Sequence, residues 1–138
     1  MLLLSSILIA ASLANADIRP LLREQGFNGP LNGSEKITYV GHVRQGRDDY
    51  QIYTFYGVFR AAAVYHGVNA VIVVLNGSTF VGDYKVDGPT VCQLRRQQVI
   101  CAVPSPGRVI EFTKDGPPRK IWFDGQVVRL NLGSKFKN

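Results

Sequence analysis

The sequence predicts an all-β fold: a single small antiparallel meander β-barrel of about eight to ten short strands, with a curled β-sandwich as the alternative. Three observations predict it. Beyond residue 35, turn-forming Gly, Pro, Asn and Asp recur at intervals of roughly eight to twelve residues. Apolar and polar residues alternate in several of the runs between them, which is the period of a strand. No stretch keeps a helical period long enough to connect parallel strands. The chain has 138 residues, which is one domain's length.

The elements follow in order. In residues 1–16, MLLLSSILIAASLANA, twelve residues are apolar and none is charged. The apolar run is shorter than the roughly twenty residues of a bilayer-spanning helix. It ends in the small residues Ala14, Asn15 and Ala16, followed by Asp17. That is the pattern of a cleaved secretory signal, although no Lys or Arg stands near its start. The expectation is an exported protein, periplasmic or secreted, whose mature chain begins at Asp17 and has no transmembrane segment. Residues 17–35 are rich in Gly, Pro and Asn and read as a loop-rich lead-in with room for one helical turn. The β domain covers 36–132, and a basic tail covers 133–138.

Candidate strands are 37–43, 50–59, 61–66, 69–75, 78–86, 90–95, 98–103, 108–114, 119–124 and 126–132. The alanines at 61–63 also permit a short helix over 59–65. Asn76-Gly77 and Asp124-Gly125 supply the positive φ of tight hairpins. Ala70–Leu75 is apolar throughout and reads as covered on both faces. In 78–86, Phe80, Gly82, Tyr84 and Val86 alternate with Thr79, Val81, Asp83 and Lys85, which predicts one core face and one wet face. Mid-strand Gly57 and Gly82 are expected to mark bends.

Cys92 and Cys101 lie in TVCQLRRQQVIC. A hairpin centred between Arg96 and Gln97 sets them directly opposite each other. Either a two-residue or a four-residue loop keeps that register, and the two-residue form makes them a non-hydrogen-bonded pair, the spacing that better suits a disulfide. An oxidising compartment favours that bond over a redox pair or metal ligands.

The residues offer little for catalysis. The mature serines lie outside any G-x-S-x-G context, and the only histidines are His42 on a strand and His66 at a His66-Gly67 turn. Asp83–Asp87 lacks the acidic spacing of a calcium loop, and Asp48-Asp49 would point to opposite faces of a strand. No metal, no other cofactor and no specific nucleic-acid motif is expected. Charge is more telling. The net charge is +6, and residues 17–84 carry equal numbers of basic and acidic side chains, so the whole excess lies in 85–138. Such asymmetry favours an anionic partner: an envelope polymer, a lipid head group or an acidic protein.

A two-residue turn at Asp124-Gly125 sets Ile121 opposite Val128 and Phe123 opposite Gln126 on the core side. Trp122 then faces Val127 on the outer side, beside Lys120 and Arg129. Exposed tryptophan between cations suits a sugar ring, a base or an acidic peptide. The candidate binding residues are Lys120, Trp122 and Arg129, with Arg95 and Arg96 at the tip of the cysteine hairpin. The competing expectation is that the lead-in or the strand 50–59 covers Trp122. The aromatic cluster Tyr50, Tyr53, Phe55, Tyr56 and Phe59 reads as core and strand surface.

In size, leader, succession of hairpins and the stretch Asn76–Tyr84, NGSTFVGDY, the chain resembles small exported calycin-type barrels, among them periplasmic lysozyme inhibitors. The resemblance is architectural and transfers no functional residue. The expected function is a non-catalytic binding or envelope-associated module for an anionic partner. An enzyme inhibitor of the lysozyme-directed type is the alternative, and a hydrophobic-ligand carrier the third. The carrier needs a cavity, which the large apolar side chains are expected to fill.

Overall fold

The computed structural model describes residues 17–88, 90–102 and 108–137. The expected signal lies outside them. One six-residue helix, α1 (Arg19–Glu24), precedes nine strands: β1 (Lys36–Gln45), β2 (Asp48–Ala61), β3 (Val64–Leu75), β4 (Thr79–Val86), β5 (Val91–Arg95), β6 (Gln98–Ala102), β7 (Val109–Glu111), β8 (Lys120–Phe123) and β9 (Gln126–Leu132).

The all-β class stands as expected, but the barrel is only half closed. Six strands form a strongly curled antiparallel sheet in the order β1-β2-β3-β4-β9-β8, and β5-β6-β7 form a second sheet. The meander therefore breaks after β4. β5 approaches β1 and β7 approaches β8, so the small sheet spans the opening between the two edges of the large one. Val99, Cys101 and Ile110 from the small sheet, with Phe112 just after β7, meet Ile52, Val71, Val73 and Tyr84 from the large sheet in one core. Each fully buried side chain of this kind contributes about 1.5–3 kcal/mol.

Two expectations are corrected. The first concerns 59–69. The expected strand 61–66 is split by a turn, its residues from Val64 on being continuous with 69–75 in β3, and the segment 59–65 is not helical. β2 and β3 form a long hairpin that turns at Ala62 and Ala63, with Ala61 opposite Val64. Both alanines take positive φ, 52° and 64°, as a two-residue hairpin turn demands. His66 is consequently in mid-strand, not at a turn.

The second concerns β4, which has no wet face. Both sides of β4 and of β3 from Ala70 to Val74 are covered, because the lead-in is a second packing layer. Leu22 of α1 is fully buried, and Ile18 and Phe27 pack with Phe55, Ile72, Val74 and Phe80. The Phe27 ring sits edge-on to Phe55 and Phe80, with centroids 4.9 and 5.8 Å away. Gln25 fastens this layer: its Oε1 accepts from the Phe80 amide at 2.8 Å, and its Nε2 donates to the Ser78 carbonyl at 3.1 Å. Arg19 ties the helix to Glu35 at 3.1 Å. Gly82 sits at the shift of register between β3 and β4, where a Cβ would meet the Asn131 carbonyl oxygen at 2.5 Å. Its missing side chain lets β9 lie alongside β4.

Other boundaries are shorter than expected. β7 is only Val109–Glu111, and Asn76-Gly77 belongs to a three-residue connection in which Leu75 faces Thr79.

Candidate functional site

The β8–β9 hairpin has the expected register: Lys120 faces Arg129, Ile121 faces Val128, Trp122 faces Val127 and Phe123 faces Gln126. Asp124 and Gly125 take φ of 55° and 77°, so the turn is the tight form that an Asp-Gly pair favours. Alternation does the rest. Ile121 and Phe123 enter the core, while Trp122 is 69% exposed and Val127 is 46% exposed.

Trp122 is open because the covering layer stops short of it. The lead-in packs on β2, β3 and β4, whereas β8 is the far edge of the sheet. Lys120 and Arg129 are exposed on the same face as the indole. Neither has an ion-pair partner among the described residues. The nearest acid in sequence, Asp124, is engaged by Arg108 at 2.7 Å. The Arg108 guanidinium also lies 5.5 Å from the centroid of the Phe123 ring. The Asp124 carboxylate is thus drawn toward Arg108, leaving the outer face with an indole and two cations.

Further along that face Asn131 lies opposite Asp83, which is buried and paired with Lys85. Burial pushes the Asp83 carboxyl above its ordinary range, against the pull of Lys85 and of a hydrogen bond with Asn131. Lys85 in turn lies 4.9 Å from the centroid of the Phe27 ring.

Arg95 and Arg96 are exposed at the tip of the β5–β6 hairpin. The tip belongs to the β1 side of the molecule: Gln97 exchanges hydrogen bonds with the Gln45 side chain at 3.0 Å and the Arg44 carbonyl at 3.3 Å. β8 meets the small sheet through β7 instead. The fold therefore joins Lys120, Trp122 and Arg129, and places the two arginines elsewhere. Cys92 faces Cys101 as the hairpin register requires, and their sulfurs are bonded. The Cys101 amide donates to the Arg108 carbonyl on the other side, leaving the Cys pair free of main-chain bonds between its own two members.

The histidines are placed by structure of their own. His42 Nδ1 is 2.9 Å from Asp49 Oδ1 on the neighbouring strand, and His66 stacks on Phe59 at 5.1 Å. No group of three or more His, Cys, Asp or Glu comes together among the described residues. No helix among them is long and apolar enough to cross a membrane.

Two features were not anticipated. β1 ends its pairing with β2 at Tyr56, and β4 ends its pairing with β3 at Asn69. The β2–β3 ladder runs on alone to Ala62 and Ala63, forming a projecting ribbon. On it Phe59, Val64 and Tyr65 are exposed, Tyr65 at 71%, and Arg60 lies 5.7 Å from the Tyr65 ring centroid. The second feature is a cleft of about 980 Å³ between β1 and β5. A sequence signal for the ribbon exists: no acidic residue occurs between Asp49 and Asp83, and five aromatics lie between Tyr50 and Phe59.

No protein-family model, curated protein or solved structure matches this chain. What the fold defines is a class, a small disulfide-linked all-β domain, and function has to be argued from the surface.

Proposed function

We propose that the protein is an exported, non-catalytic binding module that holds an anionic, sugar-bearing envelope polymer on the outer face of β8–β9. The observation that carries this reading is Trp122, 69% exposed beside the cross-strand pair Lys120 and Arg129 on the outer face of β8–β9. A flat indole offers apolar area for a sugar ring at little entropic cost, and the flanking cations take carboxylates or phosphates. The net charge of +6 adds long-range attraction that salt weakens. Trp122 supplies contact area and stacking, while Lys120 and Arg129 supply charge.

The test is binding to polygalacturonate, with poly-L-glutamate and phosphatidylglycerol vesicles as the acidic-protein and lipid comparisons. The reading expects polygalacturonate to bind best, with Trp122→Ala weakening it about tenfold or more. Binding unchanged by 0.5 M salt and by Trp122→Ala would falsify it.

A second reading rests on the ribbon. A two-stranded projection ending in Ala62 and Ala63, with Phe59 and Tyr65 on its flanks, has the form of an element that enters a target's cleft. That supports the inhibitor alternative. Its signature is stoichiometric inhibition of a muramidase that is lost in the Phe59→Ala, Tyr65→Ala double variant. Inactivity against a panel of lysozymes removes it.

A further inference from the structure

The half-barrel is packed at its centre and open at one end. β1 and β5 are the facing edges of the two sheets, and no main-chain hydrogen bond joins them among the described residues. They touch where Gly41 meets Leu94 and where Gln97 bonds to Arg44 and Gln45. Toward Lys36 and Thr90 they enclose the cleft of about 980 Å³, a volume that holds a drug-sized or single-chain ligand.

The register grades its wall. Because strand side chains alternate, the inward-facing residues of β1, β2 and β3 form rows. The outermost row is Lys36, Tyr56 and Asn69; the next is Thr38, Thr54 and Val71; the next is Gly41, Ile52 and Val73. Burial deepens in the same order: Lys36 and Tyr56 are exposed and Thr54 is half-buried on the cleft wall, while Val71, Ile52 and Val73 continue the rows as fully buried core beneath the cleft and do not line it. Val40 of β1 and, across from these rows, Cys92 and Leu94 of β5 form an apolar floor resting on the core. No carboxylate lines the cleft among the described residues. The wall thus runs from a cation and hydrogen-bonding groups at the rim to hydrocarbon at the floor.

We propose that this cleft is a binding site for a monomeric single-chain anionic amphiphile. The carboxylate head lies at the Lys36–Tyr56–Asn69 row, where an ammonium, a phenol and an amide can bond it. The alkyl chain lies along Thr38 and Thr54 onto Val40 and Leu94, burying apolar area that water otherwise covers. Interior side chains do fill the middle of the fold, as the sequence leads one to expect; the site is at the mouth. It is separate from the β8–β9 face and does not depend on that face's function.

The experiment is calorimetric titration of the full mature chain with dodecanoate, below the concentration at which it forms micelles. The expected result is saturable binding of one dodecanoate per chain, with dodecanol binding about tenfold more weakly. Lys36→Glu, an exposed change that spares the core, lowers dodecanoate affinity about tenfold or more. Thr38→Trp, which fills the second row, abolishes binding of both probes while the melting transition stays cooperative. Lys135→Glu in the C-terminal turn makes the same change of charge and has no effect. Absence of saturable binding overturns the proposal. So does dodecanoate binding that survives both Lys36→Glu and Thr38→Trp undiminished, or that falls equally in Lys135→Glu.

Discussion

Gly41 of β1 lies against Leu94 of β5 so closely that a Cβ on residue 41 would fall 2.6 Å from the Leu94 Cδ1 methyl. Gly41 also has φ of +148° and sits at the bulge where β1 slips by one residue against β2. This contact packs the edges of the two sheets together, alongside the hydrogen bonds of Gln97 to Arg44 and Gln45. Gly41→Ala is therefore expected to destabilise the domain by about 1–3 kcal/mol, through overpacking and backbone strain together. Urea unfolding checks it; an unchanged midpoint means that the sheets separate freely at this point.

The turn at Ala62 and Ala63 stores avoidable strain. Left-handed backbone costs an L-residue about 1–2 kcal/mol, and asparagine followed by glycine is the pair that suits such turns best. Replacing Ala62-Ala63 by Asn-Gly is expected to stabilise the protein by about 1 kcal/mol and raise Tm by a few degrees. A thermal melt reads the result directly. No change would mean that the ribbon's end is already open in the native ensemble.

Asp83 gives a pH signature. Its carboxyl is held above its ordinary value near 3.8 by burial, with Lys85 and Asn131 opposing. The native state thus binds its proton more tightly than the unfolded chain does, so this group's contribution to stability falls as pH rises from about 4 through the raised range. Relative to Asp83→Asn, the wild type should lose stability over that rise. Parallel stability curves for the two proteins between pH 4 and 7 would refute the assignment.

The Cys92–Cys101 bond closes a short hairpin that is already paired on both sides of β6. Removing it by Cys92→Ser, Cys101→Ser should cost at most about 3 kcal/mol and leave the strand content intact by far-ultraviolet circular dichroism. A chain that fails to fold without it would show that the small sheet depends on the bond and not on its apolar contacts.

What was legible in the sequence were features set by local chemistry. Asp124-Gly125 fixed a register, and alternation then turned Trp122 outward. The two cysteines fixed another register by the same arithmetic. The β2–β3 turn was missed because alanine carries no turn signal; long antiparallel pairing imposes positive φ on residues that would not choose it. The lead-in and its helical turn were legible, but its role as a packing layer was missed for a different reason. Ile18, Leu22 and Phe27 are too few to show a helical period, and their role exists only because β3 and β4 offer them a second apolar face. Asp83 then became buried, against the expectation drawn from its alternation. The separation of Arg95 and Arg96 from Trp122, and the cleft at the open end, depend on how two sheets meet, which no local pattern encodes.

Trp122 is the chain's one tryptophan, so its fluorescence reports on the proposed face without labelling. The central claim is tested most directly by iodide quenching of that emission as polygalacturonate is added at low salt. The account predicts ready quenching in the free protein, saturable protection as the polymer binds, and loss of protection at 0.5 M salt or in the Lys120→Glu, Arg129→Glu variant. Emission already shielded in the free protein, or protection indifferent to both the salt and the charge reversal, would contradict it.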